Sequence, residues 1–423
     1  MGNDLPVVII GSGPVGLAAA AHLAKYGVPF LILEKGEAAG STIKEWKHVR
    51  LFSSWEYNID QAAKELLEGN GWLTPDITQL PTGGELVARY LQPLAALPEI
   101  APYVVYGAEV IAVTREGVDK LKTAGRDKLP FLVYAKSGGK TAAYRAKAVI
   151  DASGTWYNPN PPSADGVWQK ELQVHTGIPS AAEDMDALKD KHIAVIGSGH
   201  SALQTLAELA QVKQIHPDTA ITWLIRRGNP ASAYGGKERD QLAARGALGM
   251  HAESLVNSGV LNIKPGFRTD KITNQDKRFR ITSLSGEAVE EVDEIYVNTG
   301  ARPDFSFLRE IRYQIDPAIE STPALAPLID PNVHSCGTVR PHGEKELRQP
   351  EPNFYIAGVK SYGRAPTFLL ATGYEQVRSI VARIAGDKQA AEQVKLSLPE
   401  TGVCSTDRLS VQTSCSEKGC CTC

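Results

Sequence analysis

The chain has 423 residues, 43% of them hydrophobic and 22% charged, with a formal charge of −3. That length exceeds one hydrophobic core and predicts two domains, while a nearly balanced charge without a basic stripe argues against nucleic acid as the main partner. No apolar run approaches the roughly 18 residues a bilayer crossing needs, and "LPVVIIGSG" at 5–13 has neither charged leader nor cleavage site, so a cytoplasmic protein off the membrane is expected.

The first predicted element is the apolar run "VVII" at 7–10, typical of a buried parallel strand. It runs into "GSGPVG", in which Gly11, Gly13 and Gly16 frame Ser12 and Pro14, and then into the helix-forming "LAAAAHLAKYG". The strand "FLILEK" follows and closes on Glu34 and Lys35. Gly11 allows a tight turn, Gly13 lets a pyrophosphate approach the backbone, and Gly16 lets helix and strand pack closely. The phosphates then meet the free N–H groups of a helix N-terminus, and Glu34 is placed to accept from a ribose diol. Strand, glycines, helix, strand and acid in order predict a dinucleotide site, more than a bare structural turn.

Further on, "AVIDASGTW" at 148–156 runs an apolar strand into a turn at Gly154. "HIAVIGSGHSALQTLAELA" then repeats the first motif, with Gly197, Gly199 and Ala202 framing Ser198, His200 and Ser201. The next strand, "AITWLI", ends in Arg226 and Arg227 instead of an acid. A carboxylate there would repel a 2′-phosphate, whereas guanidinium groups pair with it. FAD is therefore expected at the first motif and NADPH at the second, with His200 as a helix-start residue.

"EIYVNTGARPD" at 294–304 repeats the strand-to-small-residue turn, and "NFYIAG" ends the last strand at Gly358. An amphipathic helix is predicted from Thr367. Two Rossmann-like dinucleotide-binding domains of an α/β protein follow, the second inserted in the first. The FAD domain takes 1–165 and 301–388, the NADPH domain 166–300, and a tail without apolar periodicity 389–423.

Five of the six cysteines, Cys404, Cys415, Cys420, Cys421 and Cys423, lie in the last twenty residues, and only Cys336 precedes them. Soft metalloids select thiolates, so these five form a candidate site for capturing a metalloid. Binding of zinc or copper, intramolecular disulfides and a terminal lipidation signal are the alternatives.

Two dinucleotide folds joined by small-residue turns resemble the two-domain flavoproteins, which include class B flavin monooxygenases and pyridine-nucleotide disulfide reductases. "KHVRLFSSWEYNID", "LPTGGELVARYLQPLA", "SGTWYNPNPP" and "AGVKSYGRAPTFLLATGYEQVRS" look closest to the monooxygenase-like flavoproteins encoded with arsenic-resistance genes. The resemblance implies that Arg50, Ser53, Trp55 and Asn58 line one side of the flavin, with Trp55 alternatively ordinary core. Lys360, Tyr362 and Arg364 would stand where flavin meets substrate. It further implies a reaction in which NADPH reduces the flavin, O2 forms a C4a-(hydro)peroxide, and one oxygen passes to a soft small-molecule nucleophile, plausibly arsenite or an organoarsenical. A reductase would need a cysteine pair beside the flavin, and Val359 stands where reductases usually carry an Asp after the strand glycine. "ADGVWQKELQVHTGIPS" keeps the His175 of the class B fingerprint without its leading Phe and Gly or trailing aromatic, so His175 either couples the domains or merely bridges two loops. A thiol-metal or disulfide reductase and a non-enzymatic redox sensor or metallochaperone are the competing classes, as a monomer or a homodimer.

Overall fold

The computed structural model describes residues 5–169, 172–240, 242–275, 278–333, 342–365 and 368–396. Thr367, Cys336 and the tail cysteines Cys404, Cys415, Cys420, Cys421 and Cys423 lie outside them. Among the described residues no helix is long and apolar enough to cross a membrane.

The first parallel sheet has strands β1 (Val7–Ile10), β2 (Phe30–Leu33), β3 (Val104–Val105) and β4 (Ala148–Asp151). The second has β5 (His192–Ile196), β6 (Ala220–Ile225), β7 (Asn262–Pro265) and β8 (Glu294–Val297). The chain then returns to the first sheet as β9 (Phe354–Ile356), giving the orders β9-β4-β1-β2-β3 and β7-β6-β5-β8. Between β3 and β4, and again between β7 and β8, the chain inserts a three-stranded antiparallel sheet, over 109–146 and 269–292.

These strands read as unbroken apolar runs because both faces are covered. Val7 and Ile9 pack into a helix-side core with Leu17, Ala20 and Val377, while Val8 and Ile10 pack against Val113, Phe131 and Val133 of the antiparallel insert. The second half repeats the division, with Ile193 and Val195 on the helix side and Ala194 and Ile196 against Ile272, Phe279 and Ile281. The insert of the first half is fastened by buried charge. Arg115 Nε donates to Glu351 Oε1 at 2.8 Å and Arg126 Nε to Glu351 Oε2 at 3.0 Å.

Register places the functional edge. Ile10 lies level with Leu33 and Asp151, and Asp151 with Ile356, so Gly11, Glu34, Ala152 and Ala357 emerge together at one end of the sheet. In the second sheet Ile196 is level with Leu224 and Val297. Helix α1 (Pro14–Lys25) follows β1, α2 (His200–Ile215) follows β5, and α3 (Leu370–Ala385) follows β9 and lies against α1. The α3 helix starts at Leu370, three residues after the expected Thr367.

The two passages between the sheets run side by side. Pro159 and Ala301 form an antiparallel bridge. Asn160 N donates to Gly300 O and Arg302 N to Asn158 O, while the Asn158, Asn160 and Thr299 side chains each bond across to the opposite strand. His175 meets neither sheet junction. It pairs with Tyr296 in parallel, stacks on that ring at 4.7 Å and bonds Glu294 at 2.9 Å, so it extends the edge of the second sheet at β8.

Candidate cofactor and active site

The Gly11–Gly16 turn has the close contacts that its spacing predicts. Gly11 holds φ +99°, a conformation L side chains avoid, and a Cβ there would stand 3.0 Å from Ala152 O. At Gly16 a Cβ would lie 2.0 Å from Gly11 O, so α1 can cross the turn only with glycine. Gly13 differs: no atom lies within 4 Å of its missing Cβ, so its backbone faces open space. Gly13 also caps α1 without any side chain bonding the first-turn N–H groups, which leaves those donors for an anion.

Glu34 is fastened to this turn. Ser12 donates to Glu34 Oε2 from its amide (2.6 Å) and its hydroxyl (2.9 Å), and Gly36 N donates to Oε1 at 2.7 Å. Oε2 thus has both lone-pair sites used, while Oε1, with one bond, retains acceptor capacity for a ribose hydroxyl. Lys35 points elsewhere, pairing with Glu109 at 2.7 Å and standing 5.3 Å above the Tyr157 ring.

The far wall is α3. Leu369 caps it without a side-chain bond; Thr372 N donates to Leu369 O at 3.0 Å, while the N–H groups of Leu370 and Ala371 have no partner among the described residues. Its start is drawn against α1, because a Cβ on Gly373 would lie 2.5 Å from Val15 Cγ2 and 3.5 Å from Gly358 Cα. Gly358, at φ +71°, gives its N–H to Gln376 Oε1 at 2.8 Å, and Gln376 Nε2 bonds Ser361 Oγ and His342 Nε2. Val359 comes within 4.0 Å of the Cβ position of Gly154, joining the two turns by an apolar contact. Behind them Lys360, fully buried, bonds Asp151 Oδ2 at 2.7 Å and Ser153 Oγ at 3.1 Å under the rings of Phe305 and Phe307.

The 50–58 segment departs in part from its expected role. Ser53 Oγ donates to Asn58 Oδ1 at 2.9 Å, and Asn58 Nδ2 donates to the carbonyls of Ser53 and Ser54, so both side chains hold their own turn together. Tyr374 of α3 donates to Asn58 O at 2.8 Å and fixes that turn against the helix. Trp55 is 1% exposed and belongs to the core, with Arg89 5.7 Å from its ring. Arg50 is exposed, bonded to Leu80 O and 3.8 Å from Glu85. Arg364 is exposed in the loop before α3.

The second turn repeats the first. Gly197 holds φ +134° with Asn298 O 2.2 Å from its Cβ position, whereas Gly199 faces open space and caps α2 with no side-chain bond. Trp223 Nε1 donates to Gly197 O at 2.7 Å, and buried Asn298 Oδ1 has no partner. Ala202 is fully buried in the core, and Ser198 and Ser201 complete the turn and the first helical residues. The two arginines part company: Arg227 Nη1 donates to Ser232 O at 2.7 Å, while Arg226 is exposed and makes no ion pair or hydrogen bond with any described residue. His200 begins α2, as expected, but its ring also packs at 5.1 Å on Phe52 of the first half. Burial, and then the charge of Arg245, push its pKa down to about 4.

Two open glycine cradles, each at an uncapped helix start, fit two dinucleotides. Residues 8–336 match the family model described as pyridine nucleotide-disulphide oxidoreductase. The chain belongs to that family. FAD and a pyridine dinucleotide are the cofactors of this kind of oxidoreductase, and two open cradles fit a pair of such dinucleotides. Among curated relatives, indole-3-pyruvate monooxygenase YUCCA1 of Oryza sativa subsp. japonica is 28% identical over 48% of this chain, which spans only 45% of that protein. Bacilliredoxin reductase Bdr of Bacillus subtilis (strain 168) is 24% identical, over 73% of this chain and 81% of its own. Among solved structures, the bacillithiol disulfide reductase Bdr (YpdA) from Bacillus cereus superposes with a TM-score of 0.67 at 23% identity, covering 91% of this chain and 99% of its own. Proteins similar to this chain thus include both monooxygenases and reductases.

Sequence reasoning missed the Asp151–Lys360–Ser153 cluster and the Gln376 bond to Gly358. An acid closing the otherwise apolar run "AVID" was the available signal, since a buried carboxylate requires a partner.

Proposed function

We propose that this chain is an NADPH-dependent FAD monooxygenase that passes one oxygen atom from O2 to a soft heteroatom of a small molecule. Trivalent arsenic is the acceptor class favoured by the sequence resemblance. The observation that carries the reading is the pair of glycine cradles with a partner-free Arg226 beyond the second. In this reading 1–165 and 301–388 hold FAD, 166–300 hold NADPH, and the thiols of 389–423 capture the metalloid.

Bound flavin supplies the two-electron step between nicotinamide and O2. The protein's part is placement. The open N–H groups at Gly13 and the start of α1 hold the pyrophosphate, and Glu34 accepts from the ribose. The uncapped start of α3 favours negative charge at the flavin edge beside it. Lys360, neutralised by Asp151, pins the turns of Gly154 and Gly358 at a fixed spacing. The Ser53–Asn58 turn, held by Tyr374, forms a rigid neighbour to that helix, with Arg50 and Arg364 as exposed cations at the rim. A flavin bound here would need its reacting edge shielded from water, and buried Trp55 and Tyr374 supply apolar surface behind that turn.

A second reading, an NADPH-dependent reductase of a disulfide or thiol-bound metalloid, draws support from the Bdr relative, which this chain matches over most of its length. Oxygen separates the two. We expect arsenite to accelerate NADPH oxidation in air and to yield arsenate, with no turnover under anaerobic conditions. Sustained anaerobic turnover with a low-molecular-weight disulfide would overturn the monooxygenase reading in favour of the reductase.

A further inference from the structure

We infer that Glu45, Trp156 and Tyr157 form a clip that closes the first cleft over the adenosine half of FAD and sets how fast that cofactor leaves. The inference rests on the FAD reading and deepens it.

Two segments flank the Gly11–Gly13 turn. The 36–46 segment follows β2 and touches the turn through Gly40 N, which donates to Ser12 O at 3.2 Å. The 152–157 segment follows β4 on the other side, where Ala152 O and Ser153 Cα approach Gly11 so closely that a Cβ there would lie 3.0 and 3.2 Å from them. One carboxylate joins the segments across the turn. Glu45 Oε2 accepts from Trp156 Nε1 at 2.7 Å, and Glu45 Oε1 accepts from Tyr157 OH at 2.9 Å.

The three side chains are not core. Glu45 is exposed, Trp156 half-buried and Tyr157 61% exposed. Ordering exposed side chains carries an entropic cost, and here it produces a bridge spanning the mouth of a cradle. Its base is anchored, because Trp46, next to Glu45, lies 6.4 Å from Trp156 and would be 2.7 Å from a Cβ on Gly83. Its tip is placed by the ribose-binding end. Lys35, the neighbour of Glu34, stands over the Tyr157 ring, and the Tyr157 hydroxyl is pushed up to about 12 by burial, the Glu45 bond and the charges of Glu45 and Glu34. An indole and a phenol at that position offer flat apolar faces to a purine, while their polar edges are engaged by Glu45.

The test is flavin release. Wild-type chain, Glu45→Gln, Trp156→Phe and Tyr157→Phe are loaded with FAD and diluted far below the dissociation constant of the complex, and the rise in flavin fluorescence gives the off-rate. Unfolding midpoints of the cofactor-free chains are measured alongside. Glu45→Gln weakens both charge-assisted bonds and is expected to release FAD on the order of tenfold faster, with each single aromatic variant a few-fold faster. The cofactor-free midpoints stay unchanged. Release within twofold of wild type overturns the clip, as does faster release matched by a fall in the cofactor-free midpoint, which marks a purely structural role. A wild-type chain that takes up no FAD overturns instead the reading on which the clip rests.

Discussion

Arg226 and Arg227 are neighbours in sequence with different tasks, and Arg226→Ala tests the difference. Arg226 follows β6, exposed and without a described partner, whereas Arg227 is tied to Ser232 O at 2.7 Å. A hydrogen bond to a charged group contributes about 1.5–3 kcal/mol, and about 1.4 kcal/mol is a factor of ten. Loss of one guanidinium–phosphate contact should therefore lower kcat/KM for NADPH by roughly 10- to 100-fold, towards the lower figure because the site is open to solvent. NADH has no 2′-phosphate and should change by less than about twofold. Arg227→Ala releases the turn that both nucleotides approach and should lower both together. The assay is initial-rate oxidation of NADPH and NADH by the FAD-loaded chain at fixed oxygen and salt. Equal losses for the two nucleotides in Arg226→Ala, or selectivity residing in Arg227 alone, would refute the assignment.

Gly13→Ala should leave the unfolding midpoint nearly unchanged but lower FAD occupancy, whereas Gly16→Ala drives a methyl into Gly11 O and should cost about 1–3 kcal/mol or more, read by denaturant unfolding. Glu351→Gln leaves Arg115 and Arg126 buried without a counter-charge and should cost about 3–5 kcal/mol. Burial raises the Glu351 carboxyl, but the bonds from Arg115 and Arg126 outweigh it and hold the pKa below the usual value. The stability from this cluster is therefore full above the ordinary carboxylate range and is lost as pH falls through the lowered folded value. His200 titrates from 6.5 in the unfolded chain to about 4 in the folded one. Wild-type stability should then drop by up to about 3 kcal/mol as pH falls from 6.5 to 4, a slope that His200→Phe removes while keeping a ring against Phe52. Parallel pH profiles for the two proteins would contradict that placement.

The parts of the site written in consecutive residues were legible. A strand, a glycine turn and a helix are local, and the steric demands at Gly11, Gly16 and Gly197 leave a readable signature. The contrast between Glu34 and Arg226 is likewise a local one, written just past two strand ends. What could not be read depends on pairings across hundreds of residues, such as Lys360 with Asp151 or Tyr374 with Asn58. Ser53 and Asn58 show the reverse limit. A motif gives residue types, but only three dimensions reveal that two polar side chains bond each other and their own turn. His175 was ambiguous for a similar reason, since its partners Glu294 and Tyr296 lie more than a hundred residues downstream.

The doubled passage between the sheets, bridged at Pro159 and Ala301, has a mechanical corollary. Two connections placed far apart would act as a pair of struts and forbid rotation, and a single one would act as a swivel. Laced together by their hydrogen bonds, the two strands behave as one ribbon, stiff against bending in its own plane and compliant in torsion. Any change in the angle between the two halves would have to twist that ribbon and break the Phe52–His200 contact and the Lys47–Glu183 ion pair.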